Sequence, residues 1–515
     1  MKTQKSSHVI FTIFLLLTML GTTLAMAGKP QQVGTITYIV QASDANTASQ
    51  LVQQAGGQIT SRLDIINGVA ATLSPQALAL LQKMPEIIAL TPNAQVEAAG
   101  GGNKIPSTDY PDVIGADFVW ADGVTGEGIT VAVIDTGLAE HPGIEDSIIG
   151  WVDFVENKHN PKDRSGHGTH VAGIIANTQQ DKDHEWNGVA PGVELVGVRV
   201  LGDEGQGNYV DVIEGLQWVL DNKDTYNIRV ANLSLVATPM SPYWADPMNQ
   251  AVSRLWANGI VVVVAAGNGG SGPMSIGVPG NNPYVITVGA FTDNYTPNDW
   301  SDDYITPFSA AGPTLDGFVK PDLVAPGAHI VSTMKENTVL AQTYPENVLP
   351  KKYFTMAGTS QATAVASGVA ALMLSQNPDL TPDEVKFRMM GSSFPWVDTA
   401  NDQALYSIWQ QGMGRLNAPD AVFADMEGVA NVGMDINADL NGDIHYKGYA
   451  YYDEETGTFR LDGDYGNWAG GFGTWAGDYS PYTGGFGTWA GGFGTWAGGF
   501  GTWAGGFGTW AGGFG

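Results

Sequence analysis

Short apolar runs alternate with longer segments of helical pattern from about residue 105 to residue 425. The clearest runs are rich in Val, Ile and Leu and span 129–134, 193–200 and 260–264. Runs of this kind are typical of strands buried on both faces of a parallel sheet. Helices are predicted over 216–221 and 360–375. The pattern therefore predicts an α/β domain of three layers around a mostly parallel sheet.

The segment before this domain has a different pattern. Residues 35–41 alternate like a strand, and Asp44 is placed to cap the helix that follows. A hairpin turn is predicted at Asn67-Gly68, and Ser74 begins a second helix. The order β-α-β-β-α-β predicts a small α+β unit, whose role the pattern alone leaves open.

The first 27 residues have the features of a signal peptide. Lys2 and Lys5 give a basic start, residues 9–20 are apolar, and the small residues at 25–27 suit cleavage. The alternative is a membrane anchor, but the apolar run is well short of the roughly 20 residues that a spanning helix needs. We therefore expect a secreted protein that keeps no membrane attachment once residues 1–27 are removed.

Charge and cysteine content exclude several classes of protein. Acidic residues outnumber basic ones 52 to 23, and the formal net charge is −29. A nucleic-acid partner is excluded because binding to phosphate backbones needs a basic surface. The chain has no cysteine, so disulfides, thiolate catalysis and Cys-based metal sites are excluded as well.

The composition changes after residue 427. Residues 428–464 are rich in Asp, Gly and Tyr and predict a small acidic β-type module with a hairpin at 455–457. Residues 465–515 repeat the seven-residue pattern GGFGTWA, whose three glycines exclude a stable helix and hence a coiled coil. A flexible tail, a stacked β-type array and an aromatic surface for cell wall or polymer all remain open.

Four polar residues stand at the ends of predicted strands or the starts of predicted helices. Asp135 ends the run 129–134, where open α/β sheets place ligands and catalytic groups. His167 stands between two glycines at the start of an apolar helix. Ser360 lies in the first turn of a helix of small residues, and Asn268 follows a strand. A carboxylate, an imidazole, a hydroxyl and an amide are the groups that serine acyl transfer needs.

Each of these residues has a structural alternative when it is taken alone. The Asp and the Asn suit turns, the His suits a core position, and the Ser suits a helix N-cap. His170 is a rival for the role of His167 because it follows three residues later. A zinc site that uses both histidines is the remaining alternative, although the Glu-containing helix motif of such sites is missing.

The chain order and the local sequences favour one interpretation of the four residues. The order Asp, His, Ser is that of subtilisin, and it differs from the orders of chymotrypsin and the α/β-hydrolases. The sequences VAVIDTG, GHGTHVAG, AAGN and GTSQAT resemble the four signature sites of the subtilisin-like serine proteases. The resemblance extends over roughly residues 34–425. It implies a nucleophile, a general base, an orienting carboxylate and an oxyanion donor, which are Ser360, His167, Asp135 and Asn268.

The same resemblance implies a substrate cleft in which a peptide binds as an added strand. The residues implied for its two edges and its pocket are Ser234, Leu235, Val236, Gly205, Gly207, Ala266, Gly267 and Gly277. Val236 stands where relatives usually have Gly, so we expect a narrow pocket mouth and a preference for apolar side chains before the scissile bond. Pro279, beside the pocket, is expected to follow a cis peptide bond.

The resemblance also implies a precursor with polypeptide substrates. Residues 28–103 resemble an inhibitory propeptide and 104–427 the catalytic domain, with cleavage expected near 97–105. No cofactor is required, and structural calcium is allowed. The segment 437–442 resembles the start of a calcium loop, but Gly448 replaces its acidic closing ligand, so no metal-binding residue is predicted. A secreted endopeptidase is the expected function, and a surface adhesin or matrix protein with an ancillary protease domain is the alternative.

Overall fold

The structure is a computed structural model that describes residues 36–92, 105–398, 403–455 and 457–461. The chain forms two compact units, Met1–Ala99 and Gly100–Gly515. The predicted signal peptide, the cleavage region up to residue 104 and the heptapeptide repeats lie outside the described residues. Among the helices that the structure describes, none combines the length and the apolar character that a membrane crossing would need.

The first unit is an antiparallel sheet with two helices. Its elements are β1 (Ile36–Gln41), α1 (Ala45–Gln54), β2 (Gln58–Leu63), β3 (Gly68–Leu73), α2 (Pro75–Leu81) and β4 (Ala89–Pro92). The strand order is β2-β3-β1-β4, and each neighbouring pair is antiparallel. Asp44 caps α1 by accepting hydrogen bonds from the N–H groups of Asn46 and Thr47, and Ser74 caps α2. The predicted order of elements is confirmed.

The connection between β2 and β3 differs from the predicted turn. Leu63 pairs with Gly68, so four residues separate the paired strands. A 3₁₀ turn over Asp64–Ile66 leads into Asn67, which has a left-handed conformation with φ of 54°. The hairpin is present, but Asn67 closes a longer turn and does not begin a tight Asn-Gly turn.

A mostly parallel sheet forms the centre of the second unit. Its strands are β5 (Thr130–Asp135), β6 (Ile148–Asp153), β7 (Glu194–Arg199), β8 (Ile228–Leu233), β9 (Val261–Ala265), β10 (Ile286–Thr292), β11 (Tyr304–Ile305) and β12 (Leu323–Pro326). Their order is β11-β10-β9-β8-β5-β7-β6, and β12 pairs with β10. Of these strands, β11 is antiparallel to its neighbour and the others are parallel. Every residue of β5 is buried, as its continuous apolar pattern predicts.

The second unit also contains helices, several of which pack against this sheet. They are α3 (Tyr110–Val113), α4 (Ala116–Ala121), α5 (His167–Ala176), α6 (Tyr209–Asp221), α7 (Lys223–Tyr226), α8 (Pro247–Ala257), α9 (Val339–Thr343), α10 (Thr359–Gln376), α11 (Pro382–Gly391), α12 (Ile408–Gln411) and α13 (Ala418–Phe423). α5 packs against α10, α6 packs against α8, and both pairs contact the sheet. The α/β architecture with a parallel-rich sheet is confirmed.

Two smaller sheets precede the segment 429–461. β13 (Ile330–Thr333), β14 (Val348–Leu349) and β15 (Tyr353–Met356) form an antiparallel sheet in the order β13-β15-β14. The short strands β16 (Val397–Asp398) and β17 (Gln403–Ala404) pair with each other. β13 packs on α5, which begins at His167.

The segment 429–461 packs directly on the α/β domain. It contains α14 (Ile436–Asn441) and the antiparallel strands β18 (Ala450–Asp453) and β19 (Thr458–Leu461), so the hairpin predicted around 455–457 is confirmed. The carboxylate of Asp439 accepts hydrogen bonds from the hydroxyls of Tyr243 at 2.6 Å and Tyr284 at 2.7 Å. Leu461 is buried in the main hydrophobic core.

Residues 437–442 do not form a calcium loop. They belong to α14 and its C-terminal turn, and the backbone therefore cannot wrap around an ion. The Asp439 carboxylate is already engaged by two tyrosines and by His445, whose Nδ1 lies 2.8 Å from Asp439 Oδ1. These residues do not fit the calcium that the sequence resemblance allowed.

Candidate active site

Asp135 and His167 meet at the carboxyl end of β5. Asp135 is the last residue of β5 and is fully buried, while His167 is the first residue of α5. Asp135 Oδ1 lies 2.7 Å from His167 Nδ1 and also accepts the N–H of Thr136 at 2.7 Å. This contact places the proton of the neutral imidazole on Nδ1, so Nε2 is available to accept another proton.

Burial and charge act in opposite directions on His167. Burial alone would lower its pKa, but the charge of Asp135, the hydrogen bond to it and the charge of Asp163 together outweigh burial and raise the pKa above the ordinary value. The imidazolium that forms when His167 takes a proton is therefore stabilised. This is the property that a general base beside a nucleophile needs.

Asp163 holds the start of α5 in place, and the sequence analysis did not identify it. Its buried carboxylate accepts hydrogen bonds from the backbone N–H groups of Gly166 and Thr169, from the Thr169 hydroxyl and from the Thr136 hydroxyl. Thr136 Oγ1 in turn accepts the N–H of Gly168. Asp163 thus connects the residues that flank the Asp135–His167 contact. Its position three residues before Gly166 is the only signal in the sequence.

Ser360 is the second residue of α10, and the N-cap position is Gly358. The N-cap alternative for Ser360 is therefore excluded. The first turn is anchored on two sides, because the Gly358 N–H donates to the Gly327 carbonyl at 2.8 Å and the Ser234 hydroxyl donates to the Ser360 carbonyl at 2.8 Å. The free N–H groups and partial positive charge of this helix start favour a negatively charged oxygen nearby.

The Ser360 hydroxyl donates to the carbonyl oxygen of Ser234 at 3.2 Å. Within the described residues, the structure gives no hydrogen bond between Ser360 and His167, although both line one cleft. The hydroxyl proton therefore has to turn from the Ser234 carbonyl toward His167 Nε2 before the imidazole can accept it. Such a rotation is fast, and catalytic hydrogen bonds commonly tighten only when substrate is bound.

The side-chain amide of Asn268 has a fixed orientation. Its Oδ1 accepts the N–H of Thr359 at 2.9 Å and the Thr359 hydroxyl at 3.0 Å. The amide nitrogen is therefore directed away from Thr359. A methyl group placed on Gly358 would lie 3.3 Å from Asn268 Nδ2 and 3.7 Å from Ser360 N, so both donors border the same space. Two N–H donors around one space are what an oxyanion requires.

A cleft of about 590 Å³ brings these groups together. Eight of the sequence-predicted residues line it, and they are His167, Asn268, Ser360, Ser234, Leu235, Val236, Gly205 and Gly207. Asp135 lies behind His167 and is fully buried. Leu201, Met248 and Met356 add apolar surface that the sequence analysis did not predict.

Comparison with known proteins identifies the family. The model of the Subtilase family matches residues 126–415. Serine protease AprX of Bacillus subtilis is 38% identical over 380 residues, which cover 72% of this chain and 83% of AprX. Subtilisin J of Geobacillus stearothermophilus is 31% identical over 404 residues, covering 75% of this chain and 94% of its own. The chain belongs to the subtilase family.

Among solved structures, a cold-adapted subtilisin-like serine proteinase is 32% identical to this subtilase. The match covers 52% of this chain and 82% of that protein, with a TM-score of 0.40. The family and its relatives make this chain a serine endopeptidase, a hydrolase. Structural calcium elsewhere in this subtilase stays a prediction of the resemblance.

Three of the residues predicted for the cleft lie behind its surface. Ala266 packs with Ile276 and Ala310 in a small buried cluster. Gly267 donates its N–H to the hydroxyl of Thr359, and a methyl group on Gly277 would lie 3.0 Å from Val236 Cβ. These residues therefore support the cleft wall of this subtilase from behind. The peptide bond between Val278 and Pro279 is cis, as predicted.

His170 is a structural residue in this subtilase. It is fully buried, its Nε2 lies 3.0 Å from the carbonyl oxygen of Phe354, and burial lowers its pKa to about 3. The Ser332 hydroxyl donates to the His170 carbonyl at 2.8 Å, which ties α5 to β13. Since His167 faces Asp135 and His170 faces Phe354, the two imidazoles do not form the alternative zinc site.

Proposed function

We propose that this subtilase cleaves internal peptide bonds through an acyl-enzyme on Ser360. His167 is the general base, Asp135 orients it, and Asn268 with the Ser360 N–H binds the oxyanion. The observation that carries this assignment is the 2.7 Å contact between His167 Nδ1 and a buried Asp135, beside a cleft that also contains Ser360 and Asn268. These groups supply every role that serine acyl transfer needs.

The reaction follows from these positions. Ser360 Oγ rotates from the Ser234 carbonyl toward His167, loses its proton to Nε2 and attacks the scissile carbonyl carbon. The carbonyl oxygen takes the negative charge and accepts hydrogen bonds from Asn268 Nδ2 and the Ser360 N–H. His167 then gives its proton to the leaving amine as the C–N bond breaks. Water, deprotonated by His167, hydrolyses the resulting ester and restores the serine.

A serine-directed fluorophosphonate tests the assignment. We expect stoichiometric labelling, with the adduct located on Ser360 by peptide mass spectrometry and no labelling of Ser360→Ala. We also expect fast labelling to require Asp163, because Asp163 holds the helix start on which His167 stands. Absence of an adduct at Ser360 in folded protein would contradict the proposal and favour the adhesin alternative.

The apolar cleft wall supports a preference for apolar side chains before the scissile bond. Leu235 and Val236 line the cleft together with Leu201 and Met248. Burial of an apolar side chain against such a wall is favourable, whereas a basic side chain would lose its hydration. We expect a peptide library to give the highest kcat/KM values with apolar residues at this position. Highest values with Arg or Lys would contradict this.

We further propose that the protein is exported as a zymogen, in which residues 28–103 are the inhibitory propeptide. The confirmed β-α-β-β-α-β order of residues 36–92 supports this assignment, together with the basic and apolar start of the chain. The catalytic centre is expected to cleave its own chain near 97–105.

Expression of Ser360→Ala in a protease-free host tests self-processing. The variant should accumulate as precursor from which only residues 1–27 are removed, while the parent chain matures. Mass spectrometry of the secreted material locates both ends. Normal maturation of the variant would show that another protease performs the cleavage, and retention inside the cell would contradict export.

A further inference from the structure

Three side chains with metal-binding atoms converge away from the catalytic cleft. Asp293 follows the last residue of β10, His329 lies in the loop between β12 and β13, and Asp109 precedes α3. β10 and β12 are parallel neighbours in the central sheet, so their carboxyl ends bring Asp293 and His329 together. The ligand atoms of the three residues all lie within 4.8 Å of one another.

The distances within the cluster suit a small divalent ion. His329 Nε2 lies 2.6 Å from Asp293 Oδ1 and 3.6 Å from Asp109 Oδ2. Around a tetrahedral zinc ion with bonds of about 2.1 Å, ligand atoms are separated by about 3.4 Å. The distance from His329 Nε2 to Asp109 Oδ2 is already close to this value. The distance from His329 Nε2 to Asp293 Oδ1 has to increase by less than about 1 Å, which a side-chain rotation allows.

Two atoms of the cluster have no hydrogen-bond partner among the described residues. They are His329 Nε2 and Asp293 Oδ2. The side chains of both residues are more than nine-tenths buried, with exposed fractions of 9% and 4%. Nε2 lies 2.6 Å from Asp293 Oδ1, a contact between opposite charges only when His329 is protonated. Leaving buried polar atoms without partners is costly, and an ion between the three residues would satisfy both atoms.

The surroundings of His329 suit a metal-binding imidazole. Thr292 Oγ1 lies 3.4 Å from His329 Nδ1 and can hold the proton on that nitrogen, which leaves the Nε2 lone pair directed at the carboxylates. The ring of Tyr295 stacks on the imidazole with 3.9 Å between centroids and limits its rotation. One neutral imidazole and two carboxylates carry a charge of −2, which matches a divalent cation.

We propose that Asp109, Asp293 and His329 bind one divalent transition-metal ion of the zinc class. An imidazole ligand favours zinc over calcium, which prefers a shell of oxygen atoms. The ion connects residue 109, near the start of the described part of the α/β domain, to the ends of two central strands. Metal binding therefore stabilises the folded domain, because the ion binds the folded chain and the unfolded chain lacks the assembled site.

The experiment uses zinc alone as the probe. All variants are made in the full chain carrying Ser360→Ala, called the parent, because that chain cannot digest itself. After removal of metal with a chelator, calorimetric titration should give one zinc per chain and a higher unfolding temperature. Asp109→Asn and His329→Gln should each bind zinc at least about tenfold more weakly, because loss of even an outer-shell partner costs about 10–100-fold. Calcium at the same concentration should not displace the zinc.

His184→Gln is the matched control. His184 is exposed and lies between the acidic residues Asp183 and Glu185, so this variant tests for loose zinc binding at the surface. This variant should keep the affinity of the parent. Asp109→Asn keeps the test informative if His329→Gln fails to fold, because the Asp109 side chain is 29% exposed and tolerates replacement more easily.

Three results would overturn the proposal. The first is a parent that takes up no zinc, in which case the cluster is an ion pair only. The second is unchanged affinity in both Asp109→Asn and His329→Gln, and the third is loss of binding in His184→Gln. None of these outcomes touches the fluorophosphonate reaction of Ser360 in the active chain, so the metal proposal and the proposed protease function are tested separately.

Discussion

Two carboxylates determine the position of His167, and each acts on a different part of the residue. Asp135 contacts the imidazole directly, whereas Asp163 fixes the backbone on which the imidazole stands. Thr136 connects the two, because its hydroxyl donates to Asp163 and accepts from the backbone N–H of Gly168. The position of the base therefore depends on buried hydrogen bonds on both sides of it, which preorganise the site before substrate binds.

Replacing Asp135 by Asn should lower kcat/KM about 10⁴-fold, the size of effect known for Ser-His-Asp proteases. The pH profile should also move. Burial opposes protonation of His167, but Asp135 and Asp163 together outweigh burial and raise its pKa above 6.5, so kcat/KM of the unsubstituted protein should rise with pH at a midpoint above 6.5. Without the carboxylate, burial dominates and the midpoint should fall. An unchanged midpoint in the measured pH–rate profile would contradict this role of Asp135.

Replacing Asn268 by Leu should lower kcat about 10²–10³-fold with little change in KM, a magnitude that is known from subtilisin itself. The physical reason is that the Nδ2 donor interacts with the charged oxygen only in the transition state. Steady-state kinetics on a single peptide substrate separate the two parameters. A loss that appears mainly in KM would mean that Asn268 binds the ground state instead.

Sequence alone predicted Asp135, His167, Asn268 and Ser360 because their chain order and their four local sequences together resemble one family. Each local pattern taken alone left a structural alternative open. Asp163 could not be found in this way, since its partners come together only in the folded chain. The direction of the Ser360 hydroxyl toward the Ser234 carbonyl was also beyond the sequence. It depends on how closely α10 approaches the end of β8.

α10 has Ser360 at its N-terminal end and passes through the centre of the domain. This buried position explains why the side chains of α10 are small. Nearly all of its residues are buried, and a methyl group on Gly368 would lie only 2.6 Å from Val189 Cβ. A row of hydroxyls and amides ties the helix to β8: Ser367 donates to Asn232, Asn232 donates to Ser234, and Ser234 donates to the Ser360 carbonyl. The nucleophile is therefore held by a rigid element.

The extension of β8 forms one edge of the cleft, and Val236 is exposed on it. Val236→Gly should widen the pocket and raise kcat/KM for Phe relative to Ala before the scissile bond by about tenfold, since filling newly opened apolar space is worth about that factor. Paired peptide substrates measure the ratio. Val432→Gly, at an exposed turn in the segment 429–461, is the control and should leave the ratio unchanged. An unchanged ratio in Val236→Gly would contradict a narrow mouth.

The hydrophobic patterns predicted buried strands and long helices better than they predicted turns and short helices. Buried strands such as β5 and long helices such as α10 have strong patterns that agree with their burial. The turn ending at Asn67 and the helix α14 were missed, because their shape depends on neighbours. α14 exists where Asp439 meets two tyrosines from distant parts of the chain.

At the scale of the whole molecule, one group of buried charges combines two lysines with a single carboxylate. Lys320 and Lys386 are both buried and approach the same carboxylate, Asp322, at 2.6 Å and 3.4 Å. Lys386 also donates to the carbonyl of Pro283 at 2.7 Å. Two cations beside one anion leave an uncompensated positive charge in a medium that solvates it poorly.

Because of this group, the free energy of unfolding should change with pH in the alkaline range. Burial lowers the pKa of Lys320 from 10.5 to about 7, and Asp322 offsets this only in part. Between about pH 7 and pH 10, the unfolded chain binds a proton here that the folded chain lacks, so the free energy of unfolding should rise with pH. Lys320→Met should remove this rise.

Urea unfolding of the Ser360→Ala chain at pH 7, 8.5 and 10 measures the effect, and the slope of stability against pH is the quantity to compare. Lys447→Met replaces an exposed lysine and should keep the slope of the parent. If Lys320→Met keeps that slope as well, Lys320 is protonated throughout this range and the prediction is wrong.

The burial of Leu461 determines where the protein can be shortened. A truncation at residue 428, where the composition changes, would remove the partners of Tyr243 and Tyr284 and open the main core to water. A truncation after Leu461 would keep the hydrogen bonds of Asp439 to Tyr243 and Tyr284 and the pairing of β18 with β19. Engineers who wish to remove the aromatic–glycine repeats should therefore place a stop codon beyond residue 461.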